Sequence, residues 1–393
     1  MNINTEQKKI DELLSRGVEE VIDRDHLEKQ LKSGKQLRIK LGIDPTGPNV
    51  HIGRAVPLLK LKDFQELGHK IVLIIGDFTG VIGDASDKDS ERPMLSENAV
   101  KENLKSYIQQ VRKIIDIEKC EVHYNSEWLA KLNYHEIGRQ ADAFSLNEFI
   151  SRENIKKRLD TGKRISLREL LYPLMQGYDS VAIKADVEVG GIDQRFNLLA
   201  GRELQRQCNQ EPQDIITNPL IEGLDGRKMS SSWGNSINLF DSVNEMFGKI
   251  MSLKDEFIIK YFTLTTRVSM PEIEKYQKEL IDNNNPKDYK MKLAFEIVRF
   301  YYSLDDAEKA NEYFINTFSK KETPEVVPKI KPSNYGIITI MVESGFSPSK
   351  SEARRLVEQK GVKVNEVIID NPKMIVKIND IIQKGKRFFV KVI

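Results

Sequence analysis

Cysteine is nearly missing: two of 393 residues, Cys120 and Cys208. They lie far apart in sequence, in no metal-ligand spacing, and are too few for a disulfide framework. A disulfide-stapled secreted scaffold is thereby excluded, and a reducing, cytoplasmic setting is expected. Long apolar runs are missing too. The most apolar stretch, Ile71-Val72-Leu73-Ile74-Ile75, is far below the roughly 20 residues that a membrane-spanning helix needs. The first residues, through Lys9, have no apolar core behind them and do not read as a signal peptide. Histidine is scarce, and neither His123 nor His135 has a partner at metal-binding spacing, so no protein-only metal site is expected.

What is present is length and charge. The chain is long enough for two or three domains with a sizeable core, and 31% of it is charged. The net charge of +2 hides an uneven spread: from Tyr335 to Ile393 there are 11 Lys/Arg against 6 Asp/Glu, a balance of +5, which leaves −3 on the first 334 residues. A small basic tail on a mildly acidic body points to a polyanionic partner for the tail.

Residues 5–33 read as helices. Residues 37–43 then read as a strand, Asp44 to Asn49 as a turn, His51 to Leu67 as a helix stopped by Gly68, and residues 70–75 as a buried strand. This βαβ unit predicts an α/β fold with a Rossmann-like, doubly wound parallel sheet. The pattern over 96–170 is mostly helical, with amphipathic stretches at 98–115 and 146–159, and is expected to be an insertion between two sheet halves. We expect a catalytic domain over 1–225, a loop and α-helical domain over 226–320, and a proline-stiffened linker over 321–334. A small α+β domain is expected over 335–393. In that tail Ser349 to Glu352 makes a capping box opening a helix with Arg354 and Arg355, and residues 362–367 and 387–392 read as strands.

Five stretches carry candidate chemistry. At the start of the first crossover helix, His51-Ile52-Gly53-Arg54 sits where a helix N-terminus attracts anions; Gly53 lets a ligand lie against the backbone, and His51 and Arg54 can donate to phosphate. Asp225 to Asn235 sets Lys228 and three serines between glycines, the equipment of a mobile loop that closes on phosphate. Asp77 to Asp84 follows a strand with glycines and a carboxylate suited to an ammonium group. Tyr172, Gln176 and Asp179 fall at i, i+4 and i+7, one polar stripe on one helix face. Finally, residues 185–194 put a strand and the pair Gly190-Gly191 before Asp193 and Gln194, the other half of a crevice.

Together, Asp44-Pro45-Thr46, His51-Ile52-Gly53 and Lys228-Met229-Ser230-Ser231-Ser232 resemble the paired signatures of class I aminoacyl-tRNA synthetases, and the segments between them resemble the tyrosyl family over nearly the whole chain. The resemblance implies formation of tyrosyl-adenylate from L-tyrosine and ATP with Mg²⁺, then transfer to tRNA(Tyr), in a homodimer with no membrane contact. It assigns ATP to Asp44, Thr46, His51, Gly53, Gly191, Asp193, Lys228, Met229, Ser230 and Ser231. The phosphate charge falls to His51, Arg54, Lys228, Lys88 and Arg92, the last two as partners for pyrophosphate. Tyrosine falls to Lys40, Gly42, Asp44, Thr79, Asp84, Tyr172, Gln176, Asp179 and Gln194, with Asp179 accepting the phenol hydroxyl. The tail resembles an RNA-binding domain named for ribosomal protein S-four, in which Lys350, Arg354 and Arg355 would meet RNA.

Three positions depart from the family pattern. Arg54 replaces the second histidine of the HIGH-type motif, and Ser231 the second lysine of the KMSKS-type loop. Lys40 stands where many members have a tyrosine that meets the substrate hydroxyl, and its ammonium is expected to donate to the phenol oxygen instead. Two alternatives stay open: a synthetase for tryptophan or a tyrosine analogue, and an RNA-binding protein with a degenerate synthetase body.

Overall fold

Val72 to Ile75 are all buried, so the apolar run that is too short for a membrane becomes a central strand covered on both faces. The computed structural model describes residues 3–84, 94–282, 284–319, 327–385 and 388–393. Six strands form the main sheet: β1 (Glu20–Ile22), β2 (Arg38–Ile43), β3 (Lys70–Ile75), β4 (Glu121–Tyr124), β5 (Val187–Gly191) and β6 (Asp214–Asn218), in the order β1-β6-β5-β2-β3-β4. β2 to β6 run parallel, and β1 closes the edge antiparallel to β6. The order reverses between β2 and β5, so their carboxyl ends open a crevice. The crossover helices Ile52–Glu66, Glu97–Val111, Leu167–Ile183 and Arg195–Gln207 join the parallel strands. The last two pack closely where Gly177 meets the Ala200 backbone; a Cβ there would lie 3.0 Å from the Ala200 carbonyl carbon.

Two expectations change here. Residues 5–33 are not all helix, because β1 lies between the helices Gln7–Leu13 and Arg24–Lys32; three residues carry no readable period. The segment 96–170 is not one helical insertion either. The 97–111 helix leads into β4, which completes the parallel half-sheet on β3. The expected 146–159 helix is two, Leu146–Ile150 and Glu153–Asp160. They part at Arg152, whose guanidinium lies over the rings of Phe149 at 5.5 Å and Phe196 at 4.8 Å.

The chain divides into two compact units, residues 1–242 with 249–301, and residues 243–248 with 302–393. Much of the segment expected as a separate helical domain therefore packs with the sheet. In the second unit a five-stranded sheet has β7 (Lys329–Ile330), β8 (Val362–Val364), β9 (Val367–Ile369), β10 (Ile381–Lys384) and β11 (Phe388–Val392), in the order β7-β11-β10-β8-β9. β7 pairs parallel with β11, so the segment expected as linker has joined this sheet by residue 329; residues 321–326 lie outside the described ones. The single strand expected over 362–367 is instead a hairpin. Asn365 (φ 49°) and Glu366 (φ 69°) both take the left-handed conformation that a tight two-residue turn requires. The Lys350–Glu358 helix starts at Ser349, whose Oγ accepts from Glu352 N at 3.3 Å. It buries Ala353 and Val357 in a core with Ile337, Ile340, Val362 and Ile382. Lys350, Arg354 and Arg355 stay exposed on its other side. Among the described residues no helix is long and apolar enough to cross a membrane.

Candidate active site

The carboxyl ends of β2, β3 and β5 open into a cleft of about 430 Å³. Gly42, Asp44, Thr79, Asp84, Tyr172, Gln176, Asp179 and Gln194 line it, as do Thr46, His51, Gly53, Arg54, Gly191, Asp193, Lys228, Met229, Ser230 and Ser231. Residues scattered over 190 positions thus meet because strand ends, helix starts and one loop converge at the switch point. Lys88 and Arg92 lie outside the described residues.

The deep end of the cleft is acidic and hydrogen-bonded before any ligand arrives. The Tyr172 hydroxyl donates to Asp44 Oδ2 at 2.8 Å, and the Thr79 hydroxyl to Asp44 Oδ1 at 2.7 Å. Burial holds the Tyr172 phenol well above its ordinary pKa, and the Asp44 charge adds to the effect. Tyr172 therefore remains a donor. Asp179 is 3% exposed. It accepts from Trp128 Nε1 at 2.7 Å and from Asn125 Nδ2 at 3.4 Å. Desolvation pushes its carboxyl up to about 7, against Lys40, Trp128 and Asn125, which pull it down. Gln194 Nε2 donates to Asp84 Oδ2 at 2.8 Å. Gly76, at the end of β3, has to be glycine: a Cβ would fall 1.9 Å from Asp44 Oδ1 and 2.3 Å from Thr79 Oγ1.

The mouth is cationic and more open. His51 caps the 52–66 helix, its Nδ1 accepting from Arg54 N at 3.3 Å. With Nδ1 used as acceptor, the imidazole proton belongs on Nε2. Arg54 Nη2 donates to Thr46 Oγ1 at 3.2 Å. Lys228 Nζ lies 2.8 Å from Asp193 Oδ2, with side-chain exposures of 30% and 21%. The loop behind Lys228 is held by Asn235, which donates to Asp225 Oδ1 (2.8 Å) and to Lys228 O (3.1 Å) and accepts from Ser230 N (2.8 Å). Asn235, then Arg227, hold the Asp225 carboxyl down at about 2. Arg227 also stacks over Trp233, 4.6 Å from its ring centroid.

Lys40 is not where the sequence expectation put it. Its side chain is fully buried and does not line the cleft. The ammonium donates to Gln176 O at 2.8 Å and Ser180 Oγ at 2.8 Å, and pairs with Glu188 Oε1 at 2.9 Å. The physical reason is the neighbouring strand β5, whose register sets the Glu188 carboxylate beside the ammonium.

Sequence reasoning missed Asn125, Trp128, Glu188, Asn197 and Asn235. Glu188 had a readable signal, a carboxylate amid the apolar residues of β5. Asn125 and Trp128 had none, because they reach the site only through the β4 pairing.

The family model of class I tRNA synthetases (W and Y) matches residues 32–319, and that of the S4 domain residues 337–382. The chain is 46% identical to tyrosine–tRNA ligase 2 of Clostridium acetobutylicum, over 98% of this chain and 99% of that one. It is 44% identical to the tyrosine–tRNA ligase of Thermotoga maritima, over 97% and 96%. The C-terminally truncated mitochondrial tyrosyl-tRNA synthetase of Aspergillus nidulans has a similar fold, with a TM-score of 0.65 and 23% identity, over 77% of this chain and 92% of that one. Matches of this extent, on a chain whose switch-point cleft is built as described, show that it belongs to the tyrosine–tRNA ligases of the class I aminoacyl-tRNA synthetases.

Proposed function

We propose that the protein activates L-tyrosine with MgATP and then esterifies tRNA(Tyr). The observation that carries this reading is Asp179, an acceptor at the closed end of a cleft whose other deep groups suit an amino acid. In the proposed reaction a tyrosine carboxylate oxygen attacks the α-phosphorus, the bond to the bridging oxygen breaks, and pyrophosphate leaves. The terminal ribose hydroxyl of tRNA next attacks the adenylate carbonyl, and AMP leaves.

Asp84, Thr79, Tyr172 and Gln176 would hold the ammonium and Gln194 the carboxylate, with Gly42 and Asp44 beside them. Asp179 would take the phenol proton in a hydrogen bond. A site that binds a hydroxyl rejects the analogue without it, because a buried carboxylate is then left unpaired; tyrosyl enzymes facing phenylalanine are the standing example. Asp193 would bind the ribose, which requires Lys228 to leave it for the phosphates. Lys228, His51 and Arg54 would stabilise charge moving onto pyrophosphate, with Gly53, Gly191, Thr46, Met229, Ser230 and Ser231 shaping the nucleotide seat. Mg²⁺ would enter with ATP. Lys88 and Arg92 are assigned to pyrophosphate by the family resemblance alone.

Lys350, Arg354 and Arg355 would contact RNA phosphates. Tyr134, Leu146 and Leu167 are large exposed apolar side chains on the helical excursion between β4 and β5, which supports a homodimer through that segment. A cytoplasmic enzyme is the setting this chemistry implies. The test is amino-acid-dependent exchange between pyrophosphate and ATP over a panel that includes tyrosine, phenylalanine and tryptophan. Tyrosine should drive exchange well above the others. Exchange driven by a different amino acid, or RNA binding with no exchange at all, would replace this reading.

A further inference from the structure

The register of the sheet sets Lys40 of β2 opposite Glu188 of β5. Both are buried, at 0% and 1% exposure. Burying such a pair carries a desolvation cost that its attraction often fails to exceed, and two apolar residues of like volume commonly serve stability as well. Stability is therefore a weak reason for the pair. Its hydrogen bonds offer a stronger one.

Glu188 accepts from Lys40, from Ser180 Oγ at 3.1 Å, from Gln213 Nε2, and from Gln176 Nε2 at 3.3 Å. The bond to Gln176 decides which way that amide points. A carboxylate only accepts, so it holds the NH₂ of Gln176 toward itself and turns the amide oxygen outward. That oxygen accepts from Asn197 Nδ2 at 3.0 Å, and Asn197 Nδ2 also donates to Gln194 Oε1 at 2.9 Å. Gln194 in turn points its NH₂ at Asp84. Two carboxylates thus bracket a run of three amides, and a flip of either glutamine would set oxygen against oxygen. Lys40 neutralises the inner carboxylate. It also grips the 167–183 helix at Gln176 O and Ser180 Oγ, one turn apart on the stripe that carries Tyr172 and Asp179.

We propose that Lys40 and Glu188 form a buried positioning pair that orients Gln176, and through Asn197 Gln194, for the substrate amino acid. The assignment rests on the cleft being a tyrosine-activating site. It predicts that disturbing the pair raises KM for the amino acid and spares the nucleotide step.

The test uses the full-length protein in pyrophosphate exchange, with thermal melting in parallel. Lys40→Met leaves Glu188 buried without its cation and should lower Tm. Adding Glu188→Gln removes both charges, so Lys40→Met/Glu188→Gln should recover most of that Tm. Its KM for tyrosine should nevertheless stay about ten-fold above the parent, because the one amide oxygen at 188 cannot serve Gln176, Ser180 and Gln213 together. KM for ATP and kcat at saturating tyrosine should stay within about two-fold of the parent. A double variant with recovered Tm and a parent-like KM for tyrosine would overturn the proposal, as would equal rises in both KM values. Should the double variant fail to fold, Ser180→Ala decides. A rise of about three-fold in the tyrosine KM alone supports the pair's role, and no change overturns it. A parent protein that shows no tyrosine-dependent exchange would instead defeat the reading of the cleft.

Discussion

The two ends of the cleft are built differently. The deep end is buried, sits at strand ends and on the 167–183 helix, and its carboxylates already hold donors: Tyr172 and Thr79 on Asp44, Trp128 and Asn125 on Asp179. The mouth is half-open and relies on a loop, where Lys228 rests on Asp193. Recognition of a fixed shape gains from groups whose positions are settled in advance, because little ordering cost remains at binding. Charge that moves during a reaction needs a cation that can follow it, and a lysine on a glycine-flanked loop can do so. On the proposed reading, selectivity and rate are assigned to different kinds of backbone.

Three measurements would break or sharpen that contrast. The largest effect is expected at the mouth. Lys228→Ala should slow adenylate formation by about 10²–10³-fold, the range for removing one preorganised charge-stabilising group, with the tyrosine KM nearly unchanged in single-turnover and exchange assays. A defect confined to tyrosine binding would erase the division between the two ends.

The next effect belongs to Asp179 and has two signs. Because burial pushes its carboxyl up to about 7, its acceptor strength should fade as pH drops through that value, and the tyrosine KM should rise from about pH 8.5 to about pH 6. Stability runs the other way. A folded pKa raised above the unfolded one gives a contribution fully present below the unfolded value and lost as pH rises through the folded one. Asp179→Asn should therefore melt higher than the parent above about pH 7, show little of that gain near about pH 4, and erode the preference for tyrosine over phenylalanine by at least about ten-fold. A preference and Tm unchanged at every pH would remove Asp179 from both roles.

The smallest effect is expected behind the loop. Asn235→Ala takes one donor from Asp225, one from Lys228 O and the acceptor from Ser230 N at once, and should lower kcat about five-fold while costing roughly 1 kcal/mol of stability, since the loop is partly solvated. Equal loss of kcat and of tyrosine affinity would mean that the two ends are not separable.

Much of the fold was legible along the chain. Buried β3 is an uninterrupted apolar run, and the 52–66 helix has a period and a glycine stop, so the first βαβ unit needed only local physics. The polar stripe Tyr172, Gln176 and Asp179 was legible for the same reason, because helical spacing alone puts the three on one face. β1 and β4 were not, since three or four half-exposed residues at sheet edges carry no period and acquire their conformation from the neighbouring strand.

By itself, then, the sequence determined the doubly wound class, the motif residues of the cleft and the basic tail, all of which follow from spacing, composition and residue chemistry. Only the tertiary structure decided what Lys40 does. A lysine in a strand could face a ligand or a partner strand, and the choice depends on which carboxylate lies opposite. Registry between β2 and β5 supplies Glu188, from a segment about 150 positions away. An ammonium leaves water only where its protons and its charge are met together, and that place is beneath the cleft.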